Sequence, residues 1–198
     1  MTSMYHDGQR VLQDAFDGRR VADVLEDRRK RSTFDDDDVA MIHAAPFFFL
    51  ATAHDGVADC SFKGGAPGFV RVTGPDSLEW PDHDGNSMYR SLGNILLSPA
   101  VGLLFMTFDG ASLRLRVNGQ AEILRDPETL ARHHAARAVV RVAAQAIFPN
   151  CPRYIPDLAH GTPSEYTPHQ GVMPPQPPWK SRDYIRDILP ADDPARRV

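Results

Sequence analysis

A chain of 198 residues with 42% hydrophobic and 24% charged residues has the balance of a folded globular protein, which excludes a wholly disordered polymer. Its formal net charge of −4 offers no general attraction to nucleic acid or to an anionic membrane surface. No apolar run approaches the roughly 20 residues of a membrane-spanning helix, and the two cysteines, Cys60 and Cys151, form neither a disulfide framework nor a metal-ligand spacing.

Residues Met1 to Arg10 carry aspartate and histidine instead of a basic stretch followed by an apolar one, so no secretory leader is expected and the cytoplasm is the expected setting. From Val11 to Arg31 apolar residues recur at near-helical spacing (Val11, Leu12, Ala15, Phe16, then Val21, Val24, Leu25), interrupted by Gly18. That pattern predicts one bent helix or two short ones. Four acids, Asp35 to Asp38, precede Val39, Met41 and Ile42. They read as the first turn of a helix, where carboxylates meet free N–H groups and the positive dipole end, rather than as a metal site.

The middle of the chain reads as β. Phe47 to Ala53 and Val57 to Lys63, joined by His54-Asp55-Gly56, predict a hairpin. Gly68 to Thr73 and Ser77 to Trp80 predict two further strands around Gly74-Pro75-Asp76. Ser87 to Leu97 has helical spacing (Met88, Leu92, Ile95, Leu96) and stops at Ser98-Pro99. Val101 to Phe108 predicts a fifth strand. Ser112 to Leu124 predicts a sixth, with Leu113, Leu115 and Val117 on one face and Arg114 and Arg116 on the other. Six antiparallel strands with one inserted helix predict a small barrel.

Asp126-Pro127 has the chemistry of a helix start, and a helix is expected over 127–148. The segment 149–198 is rich in proline, including Pro174-Pro175 and Pro177-Pro178, and predicts an extended arm that Tyr184, Ile185, Ile188 and Leu189 anchor. The expected organisation is therefore a single domain: helices in 1–45, a barrel over 46–126, a helix over 127–148 and the arm.

The chemistry-bearing motifs of hydrolases, zinc peptidases and P-loop proteins are missing, and His133-His134 point about 100° apart on a helix, a poor geometry for one metal. No catalytic side chain and no metal site is assigned. Anion binding is better supported. Asp84 to Ser91 leads a helix, where Arg90 and Ser91 add a guanidinium fork and a hydroxyl to free backbone N–H groups. Arg114 and Arg116 add positive charge on one strand face. Three lysines (Lys30, Lys63, Lys180) stand among 22 basic residues, the others being arginine, so Lys63 beside Gly64-Gly65 is conspicuous. Those glycines leave room for a planar ligand, or serve a tight turn.

Taken in order, Pro46-Phe47-Phe48-Phe49-Leu50-Ala51-Thr52-Ala53 with Asp55-Gly56, then Cys60-Ser61-Phe62-Lys63-Gly64-Gly65, resemble the opening hairpin of the pyridoxamine-5′-phosphate-oxidase-like family. Gly85-Asn86 through Arg90-Ser91-Leu92-Gly93-Asn94, Ser98-Pro99 and Val101 to Phe105 are similar to its phosphate-binding helix and following strand. Leu113 to Ala121 is similar to the next strand, so that the resemblance covers about Pro46 to Asp126. It implies a mainly β, α+β fold, a six-stranded antiparallel split barrel with flanking helices, with FMN at the interface of a homodimer.

By the same resemblance Ser61, Lys63 and Gly64 face the flavin, Pro81 and Asp82 (after Trp80) meet its ring, and Asn86, Tyr89, Arg90 and Ser91 take its phosphate. Arg114 or Arg116 reaches the flavin bound mainly by the other subunit. The vitamin B6 oxidase itself has an Arg-x-His motif near its C-terminus and an arginine where Ser61 stands; Trp179 to Tyr184 offers no such pair. An FMN-dependent oxidoreductase acting on another small molecule is the expectation, with NAD(P)H or O₂ as partner. The alternatives are a non-catalytic flavin or haem carrier and a reductase using the deazaflavin F420.

Overall fold

The computed structural model describes residues 3–83, 87–109, 112–160, 165, 175–191 and 193–197. These fall into two compact units, where the sequence reads as one domain: residues 31–107 with 111–151, and the chain ends with 108–110.

The larger unit is one antiparallel sheet of seven strands in the order β2-β1-β5-β6-β7-β4-β3. The strands are β1 (Phe47–His54), β2 (Val57–Gly64), β3 (Arg71–Gly74), β4 (Ser77–Asp82), β5 (Ala100–Met106), β6 (Arg114–Leu124) and β7 (Ala138–Pro149). β1 and β2 form the expected hairpin, with Phe47 opposite Gly64 and His54 opposite Val57. Asp55 and Gly56 both take positive φ at its tip, a conformation that glycine adopts at no steric cost.

Three strands separate β1 from β4 in the sheet, yet the buried Phe48 ring of β1 meets the Trp80 ring of β4 edge-on, 5.0 Å between centroids. The Phe105 ring of β5 packs on the same phenylalanine at 5.2 Å. Such contacts need a sheet curled around its own apolar face, and among the described residues the edges β2 and β3 do not pair. The barrel is therefore split. Its core gathers Phe48, Leu50, Leu78, Trp80, Leu103, Phe105, Val117 and Ile147, each at most 2% exposed. Burying side chains of this kind is worth roughly 1.5–3 kcal/mol each.

Two short helices close the ends of this core. α3 (Asp36–Ala44) starts with the expected acids: Asp35 is its cap and accepts the Asp38 N–H, while Asp38 itself is buried and takes both oxygens to Arg31 Nη2 at 2.7 and 2.6 Å. Its first-turn acids serve the helix end, as the sequence predicts. α4 (Arg90–Leu97) lowers Leu92 and Ile95 into the core, and Asn94 donates to the buried Thr52 Oγ1 on β1 at 3.0 Å.

The expected helix over 127–148 is corrected. Only α5 (Pro127–Ala131) is helical, capped by Asp126 through the Thr129 N–H, and Ala138–Pro149 is the seventh strand. Alanines favour a helix there, but Val139, Val140, Val142 and Ile147 are β-branched and fully buried. A strand held between β4 and β6 buries that run on the sheet, and tertiary packing overrides the local preference. The register of β6 against β7 shifts at Asn118/Gly119, where an added Cβ on Gly119 would lie 2.2 Å from the Ala143 carbonyl oxygen. Only glycine fits that bulge.

The smaller unit joins both ends of the chain. The interrupted helical pattern resolves into two helices, α1 (Asp7–Ala15) and α2 (Arg19–Arg29). The short α6 (Asp183–Arg186) sets Ile185 and Leu189 against Val21 and Val24, as the apolar tail residues predict. Of the proline-rich arm, residues 161–164, 166–174, 192 and 198 lie outside the described residues. No described helix is long and apolar enough to cross a membrane.

Candidate functional site

The alternation of β2 puts Asp59, Ser61 and Lys63 half-buried on one face and Cys60 and Phe62 on the exposed face. The first face looks onto the start of α4 and the end of β4, and together they bound a cleft of about 430 Å³. β3 pairs only as far as Glu79, so Trp80 to Asp82 run past it. Pro81, which has no N–H to give, costs no hydrogen bond on that free side.

α4 begins at Arg90, three residues later than the spacing predicts, because Ser87 and Tyr89 take left-handed φ values of 60° and 49°. That turn brings Arg90 and Ser91 against β2. The Ser91 and Ser61 hydroxyls are 2.9 Å apart. The Arg90 Nε donates to Asp59 Oδ1 at 3.0 Å, and Ser91 Oγ donates to Asp59 Oδ2 at 3.4 Å. Lys63 also lines the cleft, and its ammonium has no hydrogen bond or ion pair among the described residues.

Behind the β4 wall lies a second charged group. Glu79 is 1% exposed and accepts from His133 Nε2 at 3.0 Å and from Arg141 Nη2 at 3.0 Å, with Arg132 at 3.5 Å. Burial pushes the Glu79 carboxyl up, but the hydrogen bonds from His133 and Arg141 and the charge of Arg132 outweigh it and hold it below its ordinary 4.5. The loop after α5 reaches the cleft wall from this side: Arg137 N–H donates to the Asp82 carbonyl at 2.8 Å, and the His134 carbonyl is 3.3 Å from His83 Nε2.

Of the residues singled out in the sequence, Ser61, Lys63, Gly64, Pro81, Asp82, Tyr89, Arg90 and Ser91 line this one cleft. Asn86 lies outside the described residues. Arg114 and Arg116 are not brought to it: Arg114 Nη2 donates to the Cys151 carbonyl at 2.6 Å, and Arg116 sits exposed on the far side of β6. Gly64 and Gly65 also stand against aromatic neighbours. A Cβ on Gly64 would lie 2.7 Å from Phe62 Cε1, and one on Gly65 2.6 Å from Phe69 Cγ, so each leaves space for an aromatic ring of its own chain.

Asp59 was missed, although its place two residues before Ser61 on an alternating strand marks it for the same face. His83 and Phe69 also line the cleft. Neither carried a local signal. With cations, hydroxyls and an apolar wall containing Phe69 and Trp80, the cleft suits an anionic ligand with a flat apolar part. Among the described residues no group of three His, Cys, Asp or Glu could hold a metal ion.

The family profile of pyridoxamine 5′-phosphate oxidase matches residues 34–160. No curated protein matches the chain. Among solved structures, HupZ of Group A Streptococcus is 16% identical with a TM-score of 0.45, covering 66% of this chain and 98% of its own. A FAD-binding protein of Mesorhizobium loti is 16% identical with a TM-score of 0.43, covering 62% of this chain and 99% of its own. The FAD binding protein of Mycobacterium smegmatis is 15% identical with a TM-score of 0.42, covering 60% and 96%.

Proposed function

Because the chain belongs to the pyridoxamine 5′-phosphate oxidase family, we propose that it binds FMN in the cleft between β2 and α4 and works with it as an oxidoreductase on a small molecule. The observation that carries this reading is the pair of cations there. Arg90 stands at the first turn of α4, and Lys63 meets no counter-charge among the described residues. A phosphate gives Lys63 a counter-charge and meets the Arg90 nitrogens that Asp59 leaves open, and backbone N–H groups at the start of the helix add to it.

The residues present fit such a group. Arg90 and Ser91 hold the phosphate end, Lys63 holds either the phosphate or the polar edge of the ring, and Trp80, Pro81 and Phe69 provide apolar surface. FMN when bound supplies the hydride or electron transfer. The protein's part is to orient the ligand, set the charge around it and limit water.

The active form in this reading is a homodimer. It is supported by the outer face of β1 and β2, where Phe47, Phe49 and Phe62 cluster with centroids 5.3–6.2 Å apart while Phe62 is 62% exposed. Arg116, exposed on that same outer face through the Phe49–Leu104–Arg116 register, faces away from its own cleft, and in this reading it serves a partner's. The B6 oxidase reaction is not the one proposed, since Ser61 replaces the arginine of that enzyme.

The test is direct. Purified protein titrated with FMN should quench flavin fluorescence at a single site, and NADH or NADPH should bleach the bound flavin until an added acceptor restores it. Failure to bind FMN overturns the reading. Binding without reduction by either nucleotide reduces it to a flavin carrier, and binding of F420 in place of FMN reassigns the cofactor.

A further inference from the structure

We infer that Asp59 is a positioning residue for the anion end of the cleft: it holds the Arg90 guanidinium by its Nε edge so that the terminal nitrogens are presented to a ligand phosphate. The inference rests on the phosphate-binding reading above and deepens it by one residue. The Asp59 side chain is 14% exposed and that of Arg90 56% exposed, so a largely buried carboxylate anchors a long, otherwise solvated side chain. The bond, Nε to Oδ1 at 3.0 Å, is charge-assisted and of ordinary length.

Which edge is taken decides the role. A carboxylate that competed with phosphate would occupy the guanidinium's terminal fork, the pair of parallel donors that phosphate itself prefers. Asp59 takes Nε, and the terminal nitrogens carry no hydrogen bond to any described residue. The second Asp59 oxygen accepts from Ser91, whose hydroxyl meets Ser61 on the same strand as Asp59. One carboxylate thus ties the first two residues of α4 to β2. Among the described residues the Arg90 side chain makes no other hydrogen bond or ion pair, and it follows the left-handed Tyr89.

The physical gain is preorganisation. An arginine loses considerable rotamer freedom when it clamps a ligand. Asp59 removes that freedom before the ligand arrives, and its own charge is already neutralised by the group it holds.

The experiment is a double-mutant cycle on the full chain, titrating Asp59→Ala, Arg90→Ala, the double variant and Asp59→Asn with FMN and with riboflavin. Asp59→Ala should weaken FMN about 3- to 10-fold while riboflavin stays within about twofold. The double variant should be no weaker than Arg90→Ala alone, because without the guanidinium there is nothing to position. Asp59→Asn, which keeps an oxygen for Nε, should recover most of the loss. Unchanged or tighter FMN binding by Asp59→Ala, equal losses for the two ligands, or additive losses would each overturn the inference. If the unaltered protein binds neither flavin, the FMN reading fails. Inorganic pyrophosphate, followed by phosphorus NMR on the same four variants, then decides: binding that falls in both single variants retains the Asp59 role, and binding indifferent to them, or none, removes it.

Discussion

Arg90 and Lys63 share a cleft but differ in their surroundings, and that difference sets what each substitution should do. Arg90 is oriented by Asp59 at 3.0 Å, and a charge-assisted hydrogen bond to phosphate is worth about 1.5–3 kcal/mol. Arg90→Ala should therefore weaken FMN about 10- to 150-fold and leave riboflavin almost unaffected; equal losses in a fluorescence titration would separate Arg90 from the phosphate. Lys63 has no counter-charge among the described residues, so Lys63→Met removes a cation without stranding a partner. FMN affinity falling alone would assign it to the phosphate. A lower flavin midpoint potential with FMN retained would assign it to the ring edge, where negative charge collects on reduction. If neither moves, Lys63 is outside the binding machinery.

At the level of elements, two features carry more than their share of the barrel. The bulge in β6 leaves no room for a methyl group on Gly119, 2.2 Å from a backbone oxygen of β7. Gly119→Ala should cost about 1–3 kcal/mol in urea unfolding, since backbone and not a flexible side chain must give way. The second feature is Glu79, which binds β4 to β7 and to the loop after α5. Glu79→Gln should cost about 1–3 kcal/mol near neutral pH, less than a fully buried pair because Arg132 and Arg141 reach solvent. Its carboxyl sits below the ordinary 4.5 in the folded chain, so as pH falls the unfolded chain takes the proton first. The stabilisation is thus complete above about pH 4.5 and fades as pH falls through the lower folded value. Unfolding free energies of the two proteins should converge over that acidic range; a constant gap would mean that Glu79 acts through packing alone.

At the scale of the whole molecule, a 22.0 kDa chain with the proposed paired sheet face should scatter light as a particle of about twice that mass, and a monomer would leave Phe62 and Arg116 without the proposed role. How much of this was legible beforehand follows the range of the interactions. The apolar run of β1, period-two alternation in β2 and β6, the acids that cap α3, the Asp126-Pro127 start of α5 and the order of Ser61, Lys63, Arg90 and Ser91 are local patterns, and the sequence by itself determined them along with the family resemblance. Asp59 obeyed the same alternation and could have been read with its neighbours. The rest depended on contacts between residues far apart in the chain. Residues 138–149 became a strand because β4 and β6 flank them on both sides, which decides between the helical preference of their alanines and the strand preference of Val139, Val140, Val142 and Ile147. Arg114 was turned to the Cys151 carbonyl by the return of the chain after β7. Gly64 and Gly65 are the exception: Phe62 and Phe69 stand only two and four residues away, and the local backbone turns their rings over them. Local spacing dictates which face a side chain takes; what stands opposite that face is settled by the closure of the sheet, because burial against a distant neighbour outweighs the small intrinsic preferences that a short segment carries.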